Sequence, residues 1–221
     1  MLRIILLGPA GSGKGTQGSL ISQRYHIPVI STGCLLREKI KAGDELGKQI
    51  DSIISAGNCV SNDLIFDILG ERLKGDDCKD GFILDGFPRN IEQAIELENR
   101  FLGGTEVDAI LTFNIPRDIV FKRTSGRFEC NSCKKMYNRF FKDTKINGVC
   151  DVCGSTDFFI RSDDANVDAI NRRLDIYEKM SSEIIGHYSS KNLIYYVDAL
   201  KSIDEINQDI VKILDNLDIN K

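Results

Sequence analysis

The sequence predicts an α/β protein with three layers, α/β/α, in which about five parallel strands are covered by helices on both faces. Short apolar runs alternate with amphipathic stretches along the 221 residues. The first apolar run leads straight into a glycine-rich loop. Parallel strands need helical crossovers, so this alternation indicates a doubly covered parallel sheet. With 42% hydrophobic residues, the chain can bury one large core.

Five apolar runs are the candidate strands, in the order RIILL, PVIST, GFILD, AILTFNI and LIYYV. The stretches with helical periodicity lie at 15–25, 33–42, 44–56, 62–74, 90–102, 116–124, 167–189 and 202–217. In the last stretch, isoleucines and leucines from Ile203 to Leu217 recur at three and four residues, which predicts one apolar face packed on the core. Residues 128–160 break the pattern and form a small insertion.

The glycine-rich segment GPAGSGKGT, residues 8–16, lies between the first strand and the first helix. This context is typical of a phosphate-binding loop, the P-loop, because a bare backbone lets N–H groups converge on an anion at a helix N-terminus. Lys14 adds a mobile cation for the outer phosphates. Gly15 separates Lys14 from Thr16, so the sequence leaves open whether the hydroxyl of Thr16 binds magnesium directly. A glycine turn without a ligand would leave Lys14 unexplained.

Polar residues also follow two other candidate strands, at the ends where doubly wound sheets bind ligands. Thr32 and Arg37 follow the second strand. Asp85 ends the third, and Arg89 and Gln93 come soon after it. An aspartate at this place suits magnesium held through water, although a turn aspartate before glycine is the alternative.

The insertion carries four of the seven cysteines, spaced as C-x2-C-x16-C-x2-C: Cys130, Cys133, Cys150 and Cys153. Two thiolate pairs can close a tetrahedron around zinc and leave no open position, which predicts a structural metal. Because so small an insertion lacks a core of its own, the metal would supply much of its folding free energy. Four unliganded thiols are the alternative.

Composition limits the partners. The net charge of −4 argues against general binding to nucleic acid or membranes, so any anion site must be local. The opening run MLRIILLG has neither a basic flank nor a cleavage site, and no stretch reaches the ~20 apolar residues of a membrane span. We therefore expect a soluble cytoplasmic protein with reduced thiols, and a monomer because nothing requires an oligomer.

With these segments the sequence resembles an adenylate kinase. The ordered motifs that carry the resemblance are GPAGSGKGTQ, STGCLLR, GFILDGFPR with Gln93, SGRF, the four-cysteine insertion and RSDD. They run from Leu2 almost to the C-terminus. The resemblance implies the reaction Mg·ATP + AMP ⇌ 2 ADP, in adenine nucleotide homeostasis. It also implies a P-loop core of residues 1–127 and 161–221, containing an NMP-binding segment at 31–60, and a zinc-binding lid at 128–160.

The resemblance also assigns residues to each nucleotide. On the ATP side it implies Gly11, Ser12, Gly13, Lys14, Gly15, Thr16, Arg123, Arg127, Tyr137 and Lys201. On the AMP side it implies Thr32, Arg37, Val60, Gly86, Phe87, Pro88, Arg89, Gln93, Arg161 and Arg173. The residues implied for the transfer itself are Lys14, Arg89, Arg123, Arg161 and Arg173. Gln93 suits the adenine edge because an amide both donates and accepts.

The chemistry needs no general base, since the phosphate of AMP is already ionised at neutral pH. Positioning and charge stabilisation should suffice. The two histidines, His26 and His187, lie outside the motifs and receive no catalytic role. Arg173 matches the family better than Arg172, although the segment after RSDD is one residue longer than usual. Cys34 is a second departure, because the family usually has aspartate there.

Two alternatives stay open from the residues. The first is another base preference, such as GTP as donor, because a phosphate-binding loop does not contact the base. The second is a zinc-ribbon nucleic-acid binder with an attached NTPase. Against it, residues 128–160 contain five Lys or Arg and four Asp or Glu, a net of about +1 that is too weak for this class.

Overall fold

The computed structural model describes residues 1–217. The strands and α-helices, in chain order, are β1 (Leu2–Leu7), α1 (Lys14–Tyr25), β2 (Val29–Ser31), α2 (Thr32–Ala42), α3 (Glu45–Ser55), α4 (Asn62–Leu73), β3 (Gly81–Asp85), α5 (Ile91–Glu96), β4 (Ala109–Asn114), α6 (Arg117–Ser125), β5 (Arg127–Cys130), β6 (Met136–Asn138), β7 (Phe158–Phe159), α7 (Val167–Ser189), β8 (Ile194–Asp198) and α8 (Ile203–Asp215).

The five predicted strands form one sheet with the order β2-β3-β1-β4-β8. Every neighbouring pair in it is parallel. The α/β prediction with five parallel strands is therefore confirmed. Because β1 lies in the middle of the order, the chain leaves its carboxyl end at a switch point, which is where such sheets bind ligands.

Alternate side chains of β1 enter two separate cores, one on each face of the sheet. Ile4 and Leu6 join the core formed with α1 and α8, and Ile5 and Leu7 join the core formed with α2, α4 and α7. This is the period of two expected of a strand that is covered on both sides. The apolar face of α8 is largely confirmed, except that Ile203, its first residue, is 54% exposed.

One helix differs from its predicted form. The stretch 90–102 is not a single α-helix, because α5 ends at Glu96 and a π-helical turn covers Leu97–Phe101. The N–H of Leu102 donates to the carbonyl of Leu97 over 2.9 Å. The wider turn lets Leu97, Phe101 and Leu102 all contact the same core, which a regular α-helix would not do as well.

The insertion has its own antiparallel sheet, with the order β6-β5-β7. Its apolar centre consists of Phe128, Tyr137 and Phe158, whose ring centroids lie 5.3 to 6.0 Å apart. The predicted change of pattern at 128–160 therefore corresponds to a separate small sheet, which begins one residue earlier, at Arg127. Within residues 1–217, no helix combines the length and the apolar character that crossing a membrane requires.

Candidate nucleotide-binding site

A cavity of about 970 Å³ opens at the carboxyl ends of β1, β2 and β3. The residues that line it come mainly from the glycine loop, the 31–60 segment, the loop after β3, the lid and the middle of α7. Nine lysine and arginine residues line this cavity, against three with carboxylates: Glu38, Asp85 and Asp163. The chain is acidic as a whole, yet this cavity is strongly positive, as the sequence predicted for a local anion site.

The glycine loop needs its glycines for two different reasons. Gly13, the residue just before α1, has φ of 103°, a left-handed conformation that L side chains rarely adopt. Gly11 has φ of 81°, and a Cβ there would lie 2.8 Å from the hydroxyl of Thr124 on α6. Gly15 and Thr16 line the cavity, whereas Ser12 is fully buried beneath the loop. The N-terminus of α1 therefore faces the cavity with open backbone.

Lys14 extends back over the loop that carries it. Its ammonium donates to the carbonyls of Gly8, over 2.8 Å, and Pro9, over 2.9 Å. The carboxylate of Asp85 lies 3.7 Å from the same nitrogen. Burial lowers the pKa of Lys14, and Asp85 opposes that shift. A buried ammonium that hydrogen-bonds only to neutral carbonyls is well suited to exchange them for phosphate oxygens.

The second side of the cavity begins at β2 and at the loop after β3. Thr32, at the start of α2, donates from its hydroxyl to the carbonyl of Gly86 over 2.9 Å. The Nε of Arg89 donates to the same carbonyl over 2.9 Å. These bonds join the two strand ends. Thr32 and Phe87 are buried behind the wall, at 2% and 1% exposure.

Four further residues of this side line the cavity directly: Arg37, Val60, Pro88 and Gln93. Gln93 is 3% exposed, so only its edge reaches the cavity. Arg89 is mostly exposed and also lines it. The fold therefore brings together the residues implied for the AMP side, and Thr32 and Phe87 support the wall from behind.

Arginines that flank the lid complete the cavity: Arg123, Arg127, Arg161 and Arg173. Arg123, near the end of α6, donates to the carbonyl of Ala199 over 3.1 Å, and burial lowers its pKa. Burial also lowers the pKa of Arg161 to about 10, with smaller effects from Arg127 and Arg37. Arg161 therefore stays charged at neutral pH. Such crowding of cations is costly without an anion between them.

Two buried carboxylates, which the sequence analysis did not assign, hold the arginines at the base of the lid. Asp164 accepts from the Nε of Arg127 over 2.7 Å and from Arg173 over 3.0 Å. Asp163 lies 2.7 Å from Arg173. Both aspartates are less than 10% exposed. The signal was available in RSDD, because two adjacent acidic residues between motif arginines indicate ion pairing.

Two residues that the resemblance implies for the ATP side, Tyr137 and Lys201, are held by other parts of the protein. Tyr137 lines the cavity but is 3% exposed, and its ring packs on Phe128 with centroids 5.5 Å apart. Its hydroxyl lies 3.3 Å from the sulfur of Cys150. Lys201 is exposed, pairs with Asp209 over 2.6 Å and, among residues 1–217, is not part of the cavity lining.

The four cysteines of the insertion meet in one cluster, with all four sulfur atoms within 4.8 Å of one another. The sulfurs of Cys130 and Cys153, and those of Cys133 and Cys150, are 3.5 Å apart. A tetrahedron with Zn–S bonds of about 2.3 Å has S···S edges of roughly 3.8 Å. The hydrogen bond from Tyr137 lowers the pKa of Cys150 to about 6, which favours its thiolate. The cluster therefore fits zinc.

A glycine loop with one buried lysine, facing arginines from several other segments across a single cavity, defines a P-loop nucleotide phosphotransferase. The adenylate kinase family model matches residues 6–193. The chain belongs to the adenylate kinase family. It is an enzyme of that kind, a kinase whose substrates are ATP, AMP and ADP and whose reaction is ATP + AMP ⇌ 2 ADP.

Curated relatives agree with this assignment over almost the whole chain. The adenylate kinase of Allorhizobium ampelinum is 41% identical over 217 residues, which is 98% of this chain and 100% of the relative. That of Clostridium acetobutylicum is 38% identical over 96% of this chain and 99% of the relative. That of Fervidobacterium nodosum is 39% identical over 96% of this chain and 97% of the relative.

Proposed function

We propose that the two nucleotides bind on opposite sides of the one cavity, and that their phosphates meet between Lys14 and the arginines. The observation that carries this proposal is the shared lining: the glycine loop, the wall between α2 and α5, and four arginines of the lid region all line the same 970 Å³. Two ligands held in line convert a bimolecular step into an effectively unimolecular one. In the cell, this reaction keeps the adenine nucleotides in balance.

ATP would bind along the glycine loop, with backbone N–H groups of residues 11–16 around its phosphates. Lys14 would leave the carbonyls of Gly8 and Pro9 for the outer phosphates. Arg123 and Arg127 supply fixed positive charge on the lid side. The buried ring of Tyr137 would support the lid beside the ATP base, and Lys201 would have to leave Asp209 to reach the nucleotide.

AMP would occupy the side between α2 and α5. Arg37 and Arg89 are placed for its phosphate, and Gln93 for the adenine edge. Thr32 and the segment 86–88 would shape the wall, and Val60 would contact the base. The segment 31–60 would thus act as the NMP-binding segment.

The transferring group would lie among five cations: Lys14, Arg89, Arg123, Arg161 and Arg173. Charge spreads over its equatorial oxygens in the transition state, and fixed cations stabilise that charge at no further cost in reorganisation. Neither histidine contributes. His187 contacts Glu98 over 3.2 Å, His26 caps α1, and neither lines the cavity within the described chain. The transfer would need no general base, because the phosphate of AMP is already ionised at neutral pH.

Magnesium fits this site through Asp85. Its half-buried carboxylate ends β3, lines the cavity and offers the oxygen ligand that this hard cation prefers. Asp85 would hold the ion through water, and the bound ion would neutralise phosphate charge. The ammonium of Lys14 lies 3.7 Å from the same carboxylate.

The lid at 128–160 would close over the transferring group and exclude water. A closed four-thiolate zinc site at Cys130, Cys133, Cys150 and Cys153 would be structural, holding the sheet of β5, β6 and β7 together. The core at 1–127 and 161–221 carries the remaining machinery. Action as a cytoplasmic monomer, without nucleic acid or membrane partners, remains a prediction.

Product analysis tests the proposal. ATP and magnesium are supplied with AMP, CMP, UMP or GMP in turn, and then GTP replaces ATP. We expect ADP to form rapidly only with the pair ATP and AMP. Hydrolysis of ATP without AMP would contradict the two-ligand cavity, and faster transfer from GTP would favour the other donor.

A further inference from the structure

A chain of side-chain hydrogen bonds runs behind the cavity wall and passes through Gln93. The backbone N–H of Arg89 donates to the Oε1 of Gln93 over 2.7 Å. The Nε2 of Gln93 donates to the Oδ1 of Asn62 over 2.8 Å. The Nδ2 of Asn62 in turn donates to Glu92 over 2.6 Å. Asn62 is half-buried at the start of α4 and was not among the predicted site residues.

The two ends of this chain fix its direction. A backbone N–H can only donate, and an ionised carboxylate can only accept. The N–H of Arg89 therefore requires the oxygen of Gln93, and Glu92 requires the nitrogen of Asn62. Asn90 adds a third constraint, since its Nδ2 donates to the Oδ1 of Asn62 over 3.1 Å. Its own Oδ1 is occupied by the N–H of Gln93 over 2.9 Å, as the cap of α5.

We infer that Asn62 and Glu92 are positioning residues that hold the amide of Gln93 in the orientation for a 6-aminopurine and against a 6-oxopurine. The inference rests on the proposed role of Gln93 as the reader of the base. An amide presents one donor and one acceptor side by side to the ring edge. A 6-aminopurine offers N1 as acceptor and N6–H as donor, and a 6-oxopurine offers the reverse pair.

An unrestrained glutamine could rotate its amide by 180° and pair with either base. Here, rotation would place the nitrogen of Gln93 against the N–H of Arg89 and its oxygen against the oxygen of Asn62. Rotating Asn62 as well would bring its oxygen against Glu92. The first arrangement leaves the buried amide of Gln93 without partners, and the second sets two oxygens against each other at the exposed Glu92. Each therefore costs free energy that pairing with a 6-oxopurine would have to offset. The network therefore adds discrimination that Gln93 alone does not have.

The test is the ratio of kcat/KM for AMP to kcat/KM for IMP, with Mg·ATP as the donor. Asn62→Leu removes the acceptor for Gln93 and keeps a similar size. We expect the AMP-to-IMP ratio to fall by about 3- to 10-fold, since Gln93 loses one of its two side-chain partners and keeps the bond from Arg89. The loss should come mainly from a higher KM for AMP, with kcat less affected. An unchanged ratio would overturn the inference.

Rescue separates positioning from general damage. In the double variant Asn62→Asp with Glu92→Gln, residue 62 still accepts from Gln93 and residue 92 donates to it, so the ratio should return to within about twofold of the original. Ser61→Ala removes the side-chain cap of α4, which accepts from the N–H of Leu64, and leaves the network in place. A ratio that falls equally in Ser61→Ala, or that stays low in the double variant, would show a merely structural role and overturn the inference.

Gln93→Leu distinguishes this inference from the proposed function. A large fall in the ratio in Gln93→Leu, with none in Asn62→Leu, would overturn only the role of the network. No fall in Gln93→Leu would overturn the role of Gln93 in reading the base, and the inference with it. Falls in both variants, larger for Gln93→Leu, support the inference.

Discussion

The central sheet and the lid both place positive side chains beside the cavity, but they are stabilised differently. The sheet has apolar cores on both of its faces. The core of the lid has four buried members, Phe128, Cys130, Tyr137 and Cys150, two of them metal-ligand candidates. So small an insertion cannot bury enough apolar area to fold alone, whereas the central sheet can.

The difference separates stability from catalysis in a testable way. A change in the glycine loop should abolish turnover and leave both regions folded. Loss of the metal should disorder the lid and leave the core folded. Asp164 joins the regions, since it contacts Arg127 at the first edge of the lid and Arg173 on α7. A change there should affect both.

The largest effect is expected from Lys14→Met, which removes the cation of the glycine loop and keeps the length of the side chain. We expect kcat to fall by about 1,000-fold, as for the loss of one preorganised stabilising donor, with little change in the melting temperature. Burial already costs the ammonium of Lys14 part of its solvation, so the fold should tolerate its removal. Steady-state kinetics and thermal unfolding measure the two quantities.

The matched control is Lys212→Met, a lysine on α8 whose side chain is 73% exposed. It should match the original chain in both measurements. If Lys14→Met turned over at the original rate, the role of this lysine in phosphoryl transfer would be wrong.

The second effect concerns the lid. Cys150→Ser, or removal of metal with a chelator, should lower kcat by about 100-fold, because Arg127 and Arg161 lose their positions at its two edges. The main unfolding transition of the core should persist. Measured zinc per chain should fall from about one to below one half. Near-ultraviolet circular dichroism should report the loss of packing around Tyr137.

Cys78→Ser serves as the thiol control, because Cys78 is a buried cysteine of the core that lies outside the cluster. It should keep its zinc and its lid signal. If Cys150→Ser or the chelator removed the core transition together with zinc, the lid and the core would not be stabilised separately.

The third effect is expected at the junction. Asp164→Asn leaves two arginines around a neutral amide, in a place where the carboxylate side chain is 1% exposed. We expect about a tenfold lower kcat and about 2 kcal/mol less free energy of unfolding, below the full cost of breaking a buried pair because Asp163 still contacts Arg173. Denaturant unfolding and kinetics on one sample measure both. Asp168→Asn, on the exposed start of α7, should change neither.

The sequence predicted the strands, the glycine loop and the cysteine cluster because each depends on local pattern: apolar runs, backbone freedom and ligand spacing. It did not assign Asp164 or Asn62, because each has a partner in a distant segment, although the acidic pair in RSDD was a local signal for Asp164. Asp164 meets Arg127 across 37 residues, and Asn62 meets Gln93 across 31. It also missed the π-helical turn after α5, because apolar spacing at Leu97–Phe101 is compatible with either helix.

The smallest effect is expected at Cys34, which lies on α2 and outside the lid. This exposed cysteine lines the AMP side, and its sulfur lies 3.3 Å from a guanidinium nitrogen of Arg37. In Cys34→Asp, a carboxylate would pair with Arg37 one helical turn away, a contact worth only ~0.3 to 0.5 kcal/mol at an exposed site. The pair would orient Arg37 but also compete with phosphate for it, so the two consequences oppose each other.

We therefore expect the turnover of Cys34→Asp to stay within tenfold of the original or to rise, and Cys34→Asn to change less because it carries no charge. A collapse of turnover in both variants, measured with saturating AMP, would show that the thiol itself has a role. In either case, we expect both Cys34 variants to keep the zinc content and the unfolding transitions of the original chain, unlike variants of the lid cysteines. The same metal and unfolding measurements check this.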